Sequence, residues 1–363
     1  MYIQQLGLIV GVLAALIVAG MIYQRTASRA ASRRFPAPGE LIDVGGHRLH
    51  VTCSGTGRPP VVFEAGIAAS SLSWVAIAPS VARFTRVCTY DRAGLAWSDV
   101  PSCPRTFDRI VEEFATVIAR VAPGQRCILV GHSFGSFIVR GYAMGHPDAV
   151  SGLVLVDPAV EWLKPDAERA YRLRRAQYLA RIGAVLAHVG IPRALLALLV
   201  GGAPAAPQRF SRLFGDTVAQ TLGRLVSEVR KLPPGTYPVM QAFWSEPKCY
   251  DSMADHLAAL ERDGAAISKI VSPPEIPTIV ISSGNQPREH IDVQRTLADA
   301  SRGGRHVIAA RSSHWIQFDE PELVTAAVRQ LLESDRPDAE NGPNDPNGSN
   351  DPNVISTSRR VWP

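Results

Sequence analysis

ILVGHSFGSFIVRGYAMGHP (residues 128–147) sets one serine between two glycines, directly behind a short apolar run. Gly131-His132-Ser133-Phe134-Gly135 fits the pattern G-x-S-x-G. In that pattern a sharp strand-to-helix turn lifts the serine hydroxyl out above a sheet, and the flanking glycines give the strained backbone its room. The surroundings agree: Cys127–Val130 reads as a buried strand, and the apolar residues after Gly135 read as a helix. The start of that helix would aim N–H groups and a positive dipole end at an oxyanion formed beside Ser133. A serine in an ordinary glycine-rich turn needs neither this context nor a partner histidine.

Working outward, the chain alternates. ELIDVGGHRLHVTCSG (40–55) reads as two short strands around Gly45-Gly46, a hairpin signal. PPVVFEAG (59–66) is a buried strand, SLSWVAIAPSVARF (71–84) has helical spacing, and TRVCTYD (85–91) is a strand. RTFDRIVEEFATVIARV (105–121) is an amphipathic helix with Phe107, Ile110, Val111, Phe114, Val117 and Ile118 toward one side. SGLVLVD (151–157) is the sixth strand. From Pro158 to about Glu275 the pattern turns mostly helical, as in DAERAYRLRRAQYLARIGAVLAHVG (166–190) and DTVAQTLGRLVSEVRKL (216–232). Alternation resumes with IPTIVISSG (276–284), DVQRTLADAS (292–301), RHVIAA (305–310) and PELVTAAVRQLLES (321–334). Apolar strands alternating with helices predict an α/β fold whose sheet of eight strands is mostly parallel and flanked by helices. The helical stretch at about 158–275 is too long for a loop and reads as a cap inserted after the sixth strand.

The formal net charge of +5 raises the question of nucleic acid. The basic residues are mostly arginines scattered through helical stretches among acids, with no zinc knuckle and no RNP-type aromatic string, so nucleic-acid binding is not expected. Five cysteines, Cys53, Cys88, Cys103, Cys127 and Cys249, form no C-x-x-C pair, and the odd, dispersed count argues against a disulfide framework. Nine histidines include no H-E-x-x-H; the closest-spaced pair singled out, His47 and His50, reads as hairpin surface residues. No metal and no cofactor is expected.

LGLIVGVLAALIVAGMIY (6–23) carries no charge over 18 residues, enough to span a bilayer with little tilt. Arg25, Arg29, Arg33 and Arg34 follow it, and no basic residue precedes it. That asymmetry predicts an uncleaved single-pass anchor (1–24), a juxtamembrane linker (25–38) and a main domain (39–334) on the cytoplasmic side. The alternative is a signal peptide cut near TASRAA, with the domain exported. The tail, 335–363, repeats Asn-Asp-Pro-Asn with almost no apolar residues and is expected to be disordered.

Over residues 39–334 the chain resembles the α/β-hydrolase superfamily, in its capped serine-hydrolase branch. GHSFG corresponds to the nucleophile elbow. YDRAGLAWSD (90–99) is similar to the turn D-x-R-G-x-G-x-S after the fourth strand, with Ala96 in place of the second glycine. SSHWIQFDEPELV (312–324) resembles the histidine loop before the last helix. The resemblance implies Ser133 as nucleophile and His314 as general base. Pro321 fits the first helical position with Glu320 as its cap, so Asp319 and Glu320 are expected to be structural. The acid is open. The usual place after the seventh strand reads SSGNQPREHID, with no carboxylate before Glu289 and Asp292. Asp157 at the end of the sixth strand is the preferred candidate, and Glu289 and Asp292 are the alternatives. The oxyanion hole would take the amides of Phe134 and Ile67, and Glu64 nearby would turn away and bond to backbone.

A serine at the elbow argues against the family's dehalogenase and epoxide-hydrolase chemistries, which the resemblance associates with aspartate there. The expected activity is cleavage of an apolar ester or amide through an acyl-serine. GIPRALLALLVGG (190–202) is expected as core between cap helices rather than a membrane-dipping lid. Two other readings stay open: non-hydrolytic chemistry on the same fold (C–C cleavage, lyase or perhydrolase), and a membrane-tethered binding protein without catalysis. Protein partners are not predicted.

Overall fold

The computed structural model describes residues 2–160, 167–200, 231–263, 267 and 275–335. Parts of the expected cap, and the tail beyond Asp335, lie outside the described residues. Eight strands form one sheet in the order β1-β2-β4-β3-β5-β6-β7-β8. They are β1 (Glu40–Asp43), β2 (Arg48–Ser54), β3 (Val61–Glu64), β4 (Val87–Tyr90), β5 (Cys127–His132), β6 (Val150–Val156), β7 (Thr278–Ser283) and β8 (Arg305–Ala309). The β1–β2 and β2–β4 pairs are antiparallel, and all others are parallel. Every residue of β3 to β7 is buried, as expected of strands covered on both faces. The β1–β2 hairpin turns through Gly45 and Gly46 at φ 96° and 98°, values that favour glycine.

The helices, numbered along the chain, are α1 (Tyr2–Arg34), α2 (Ala78–Val81), α3 (Phe107–Val121), α4 (Gly135–Gly145), α5 (Ala167–His188), α6 (Ile191–Val200), α7 (Tyr237–Trp244), α8 (Pro247–Arg262), α9 (Arg288–Asp299), α10 (Ile316–Asp319) and α11 (Pro321–Ser334). Two apolar cores sandwich the sheet. One packs Phe114, Ile138 and Leu297 of α3, α4 and α9 on one face, and the other packs Ile77, Val324 and Val328 on the opposite face. The start of α3 is capped by Thr106, whose side chain accepts a bond from the Arg109 amide at 3.2 Å. Helices α5 to α8 lie between β6 and β7, where the cap was expected.

Four expectations are corrected. First, Cys53 and Cys88 are disulfide-bonded. They stand directly opposite each other on antiparallel β2 and β4, with Cα atoms 4.1 Å apart, a proximity that only strand register creates. Second, His47 and His50 are buried, not surface residues. His50 Nδ1 lies 2.8 Å from the Asp91 carboxylate, and His47 Nε2 lies 3.2 Å from Glu113. Third, most of the stretch read as a linker is helix: α1 continues without a break to Arg34. Its 18-residue apolar window contains no buried residue, and the helix is long and apolar enough to cross a membrane. Fourth, Glu64 does not bond to backbone but forms a buried ion pair with Arg92.

Candidate active site

The C-terminal ends of β5, β6 and β7 converge, the edge at which parallel α/β sheets present their chemistry. Ser133 and Asp157 each follow their strand by one residue. The Ser133 amide donates to Val156 O (3.0 Å) and the Asp157 amide to Ile281 O (2.7 Å), so the sheet ladder holds each backbone. Both residues then turn into the left-handed region, Ser133 at φ 51° and Asp157 at φ 38°. A non-glycine residue at positive φ is strained, and the neighbouring packing maintains it. Gly135 is required by contact: a Cβ there would sit 2.6 Å from Ala65 O and 2.7 Å from Glu64 O, at the end of β3. Ala96, in the place where the resemblance expects glycine, keeps glycine's conformation at φ 39°.

His314, on the loop between β8 and α10, places Nδ1 2.6 Å from Asp157 Oδ2. A carboxylate can only accept, so Nδ1 donates the proton of this bond, which leaves Nε2 as the nitrogen turned away from Asp157. The remaining lone pairs of Asp157 are also used. Gln294 and the Ser283 amide donate to Oδ1 at 3.0 and 3.3 Å, and Gln286 donates to Oδ2 at 3.1 Å. Burial alone would raise this carboxyl; the bonds and charge of His314, with those of the two glutamines, outweigh it and hold the group at about 2. Glu289 and Asp292 lie on exposed positions of α9 and make no bond to His314 among the described residues. No hydrogen bond joins Ser133 to His314 among the described residues; the residue before the serine, His132, is the one that contacts His314.

The histidine loop is clamped from three sides. His132 Nε2 donates to His314 O at 2.8 Å, with the two rings 4.7 Å apart. Burial, together with the charge of His314, pushes His132 down to about 3, so it stays neutral. Asp319 accepts from the amide and hydroxyl of Ser313, and Glu320 from the Arg311 amide and the Ser312 hydroxyl. Glu320 is the residue before α11, yet its side chain braces the loop instead of capping the helix.

Two peptide planes beside Ser133 are pinned by their carbonyls. Ser133 O accepts from the Ser136 amide at 3.0 Å, the Ser136 hydroxyl at 2.6 Å and the Ala159 amide at 3.3 Å. A trans peptide points its N–H opposite its C=O, so the Phe134 N–H faces the other way. The buried Arg92 guanidinium donates to Gly66 O, to Ala65 O at 2.7 Å and to Glu64. The Gly66 carbonyl shares its plane with the Ile67 N–H, which Arg92 thereby orients. Neither amide has a backbone acceptor among the described residues. Sequence reasoning missed Arg92, Ser136, Gln286 and Gln294. Arg92 stood in the quoted YDRAGLAWSD turn, but nothing in the sequence says where a side chain reaches.

Ile67 and Trp315, neighbour of His314, open onto a cavity of about 150 Å³. Its walls are apolar, with Pro192, Leu195 and Leu196 from α6 and Trp244 from α7 among them. That volume admits a group about the size of benzene. No group of three or more potential metal ligands occurs among the described residues.

A profile of the α/β-hydrolase fold family matches residues 59–321. The chain belongs to that family. It is 32% identical over 168 residues to human (Lyso)-N-acylphosphatidylethanolamine lipase, a match covering 44% of this chain and 48% of the lipase. It is 26% identical over 312 residues to a haloalkane dehalogenase of Sphingobium indicum, covering 82% of this chain and 96% of the dehalogenase. The chain spans between 19% and 48% of the length of several curated relatives, among them a probable transporter of Hormonema carpetanum. A thermophilic esterase from Thermogutta terrifontis superposes with a TM-score of 0.57 at 18% identity, covering 81% of this chain and 98% of the esterase. This likeness concerns the fold. The matching profile and the sheet together make this an α/β-hydrolase-fold protein.

Proposed function

We propose that the chain is a serine hydrolase that cleaves an apolar ester or amide through an acyl-serine intermediate. The observation that carries this reading is the Asp157–His314 bond of 2.6 Å at the strand edge where Ser133 stands at positive φ. In the reaction, Nε2 of His314 takes the Ser133 proton as the hydroxyl oxygen attacks the substrate carbonyl carbon. The resulting oxyanion is met by the N–H groups of Phe134 and Ile67. Collapse expels the alcohol or amine, which receives the proton from His314, and leaves the acyl group on Ser133. Water, deprotonated by the same nitrogen, attacks the acyl carbon; collapse releases the acid as the Ser133 oxygen leaves and takes the proton back from His314. Asp157 fixes the imidazole tautomer and stabilises its charged form.

The apolar cavity beside Ile67 and Trp315 supports an acyl group as the part of the substrate it holds. Helix α1 is read as a membrane anchor on its length and exposed apolar surface. The test is labelling of the full chain with a fluorophosphonate, together with hydrolysis of p-nitrophenyl esters across a ladder of chain lengths. Covalent labelling lost in Ser133→Ala, with turnover of at least one ester, supports the reading. An unlabelled and inert wild type overturns it.

A further inference from the structure

Helix α1 is not tethered loosely to the domain. Gln24 is buried, with Nε2 donating to Ser245 O at 3.0 Å and Oε1 accepting from Arg193 Nε at 2.9 Å. Glu246 accepts from Arg193 at 2.8 Å and from the Ser28 hydroxyl at 2.6 Å. Gly20 and Tyr23 pack against Val189 and Gly190, at the junction of α5 and α6. A Cβ on Gly20 would lie 2.6 Å from Val189 O, so the two backbones touch. The apolar window of α1 therefore reaches the inserted helices at that junction, and satisfied polar bonds fix the attachment.

At the same junction the inserted helices expose what a water-facing surface hides. Ala180, Ala184 and Ala187 of α5 are buried, and its Arg174 and Arg181 bind Glu261, Asp251 and Asp255 of α8. From Tyr178 onward the outward stripe of α5 is apolar, with Tyr178, Ile182 and Val185 at spacings of four and three residues, whereas Arg175 one turn earlier is exposed on the same line. Val185 is 68% exposed, and Leu198 on α6 is 58% exposed. Residues 170–188 and 191–198 together are apolar enough to enter a membrane but are bent by 94°, which makes a corner rather than a span. Leu195 and Leu196 of α6 line the apolar cavity beside Ile67 and Trp315, so one helix separates that cavity from the exposed corner.

We infer that the α5–α6 corner is seated in the bilayer surface beside α1, and that the cavity receives the carbonyl-proximal end of an amphiphile's acyl chain directly from the bilayer, the rest of the chain staying in lipid. Such a corner would bury its leucines, isoleucine and valine at the headgroup–acyl boundary, with the exposed Arg25 and Arg29 at headgroup level. The expected substrate class is a long-chain ester or amide that stays partitioned in the membrane while its carbonyl reaches Ser133. This substrate assignment rests on the hydrolase reading, whereas the seating does not.

The experiment uses the full chain reconstituted in phosphatidylcholine vesicles. In a Cys103→Ser background, an NBD fluorophore is placed at Val185→Cys, at Leu198→Cys, and at Glu112→Cys on α3 as control. Quenching by doxyl-labelled lipids is expected to be strong at 185 and 198 and weak at 112; equal quenching at all three overturns the seating. In parallel, the double variant Ile182→Asp/Val185→Asp is assayed on vesicle-embedded p-nitrophenyl palmitate and on soluble p-nitrophenyl acetate. A loss of at least tenfold on the palmitate, with the acetate rate within twofold of wild type, is expected. Parallel losses, or none, overturn delivery from the bilayer. A wild type inert on both esters removes the hydrolase reading, and the quenching measurement still decides the seating.

Discussion

Asp157 and His314, 157 positions apart in the chain, share a hydrogen bond of 2.6 Å across the ends of β6 and the loop after β8. Asp157→Asn keeps the shape but offers the imidazole an amide, which favours the wrong tautomer. It is expected to lower kcat by about 10³- to 10⁴-fold. Ser133→Ala should leave only background turnover, whereas Glu289→Gln and Asp292→Asn should stay within about twofold of wild type, as exposed surface changes do. Steady-state kinetics on one p-nitrophenyl ester decides all four; a dead Glu289 or Asp292 variant beside an active Asp157→Asn would reassign the acid.

Acid should weaken the fold in two stages. His132 is held at about 3, below its ordinary 6.5, so the folded state binds fewer protons than the unfolded chain between those values. Its contribution is complete above pH 6.5 and is lost as pH falls toward 3. His256, also buried and pushed down by burial and by Arg92, acts in the same direction. Asp157, held at about 2 against an ordinary 3.8, adds stability above 3.8 that drains as pH falls toward 2. The Asp157 contribution is about 2 kcal/mol. Urea unfolding from pH 7 to 3 should show a slope that flattens in His132→Asn; an unchanged slope would count against a neutral buried His132.

Arg92 fixes the plane of the Ile67 amide through the Gly66 carbonyl, which under the proposed mechanism makes it a positioning residue for an oxyanion donor. Arg92→Lys retains the charge but loses the fork that reaches Gly66, Ala65 and Glu64 together. We expect kcat to fall by about 10- to 100-fold, the scale of a displaced oxyanion donor, with KM within threefold. Rates are normalised to active sites titrated with a fluorophosphonate. A purely structural role would lower the titre and leave kcat per site unchanged.

The Cys53–Cys88 bond predicts a thiol count. In denatured, unreduced protein three of the five cysteines should label, Cys103, Cys127 and Cys249, and all five after reduction. The bond closes a 35-residue separation. Its reduction is expected to cost about 3–4 kcal/mol, read as a lower Tm. A count of three in protein taken directly from cells places the domain on the oxidising side of the membrane, against the arginines that follow the apolar window. A count of five keeps it cytoplasmic.

The sequence by itself determined what depends on local order. Strand and helix alternation, the G-x-S-x-G turn, the hairpin at Gly45-Gly46 and the 18-residue apolar window are all read from neighbours in the chain, because periodicity and turn chemistry are local. Asp157 is a candidate acid only through the family resemblance, since an apolar strand followed by Asp-Pro gives that carboxylate no role by itself. Only the tertiary structure decided which groups meet. Cys53 and Cys88 are joined by the register of two strands, and dispersed spacing in sequence says nothing of register. Glu64 finds Arg92, and Gln286 and Gln294 find Asp157, through strand ends and a helix brought together by the sheet. The same holds for α1. Its apolar composition is visible in the chain, but its attachment to the inserted helices rests on Gln24 meeting Ser245 and Arg193, contacts made between segments that only packing brings side by side.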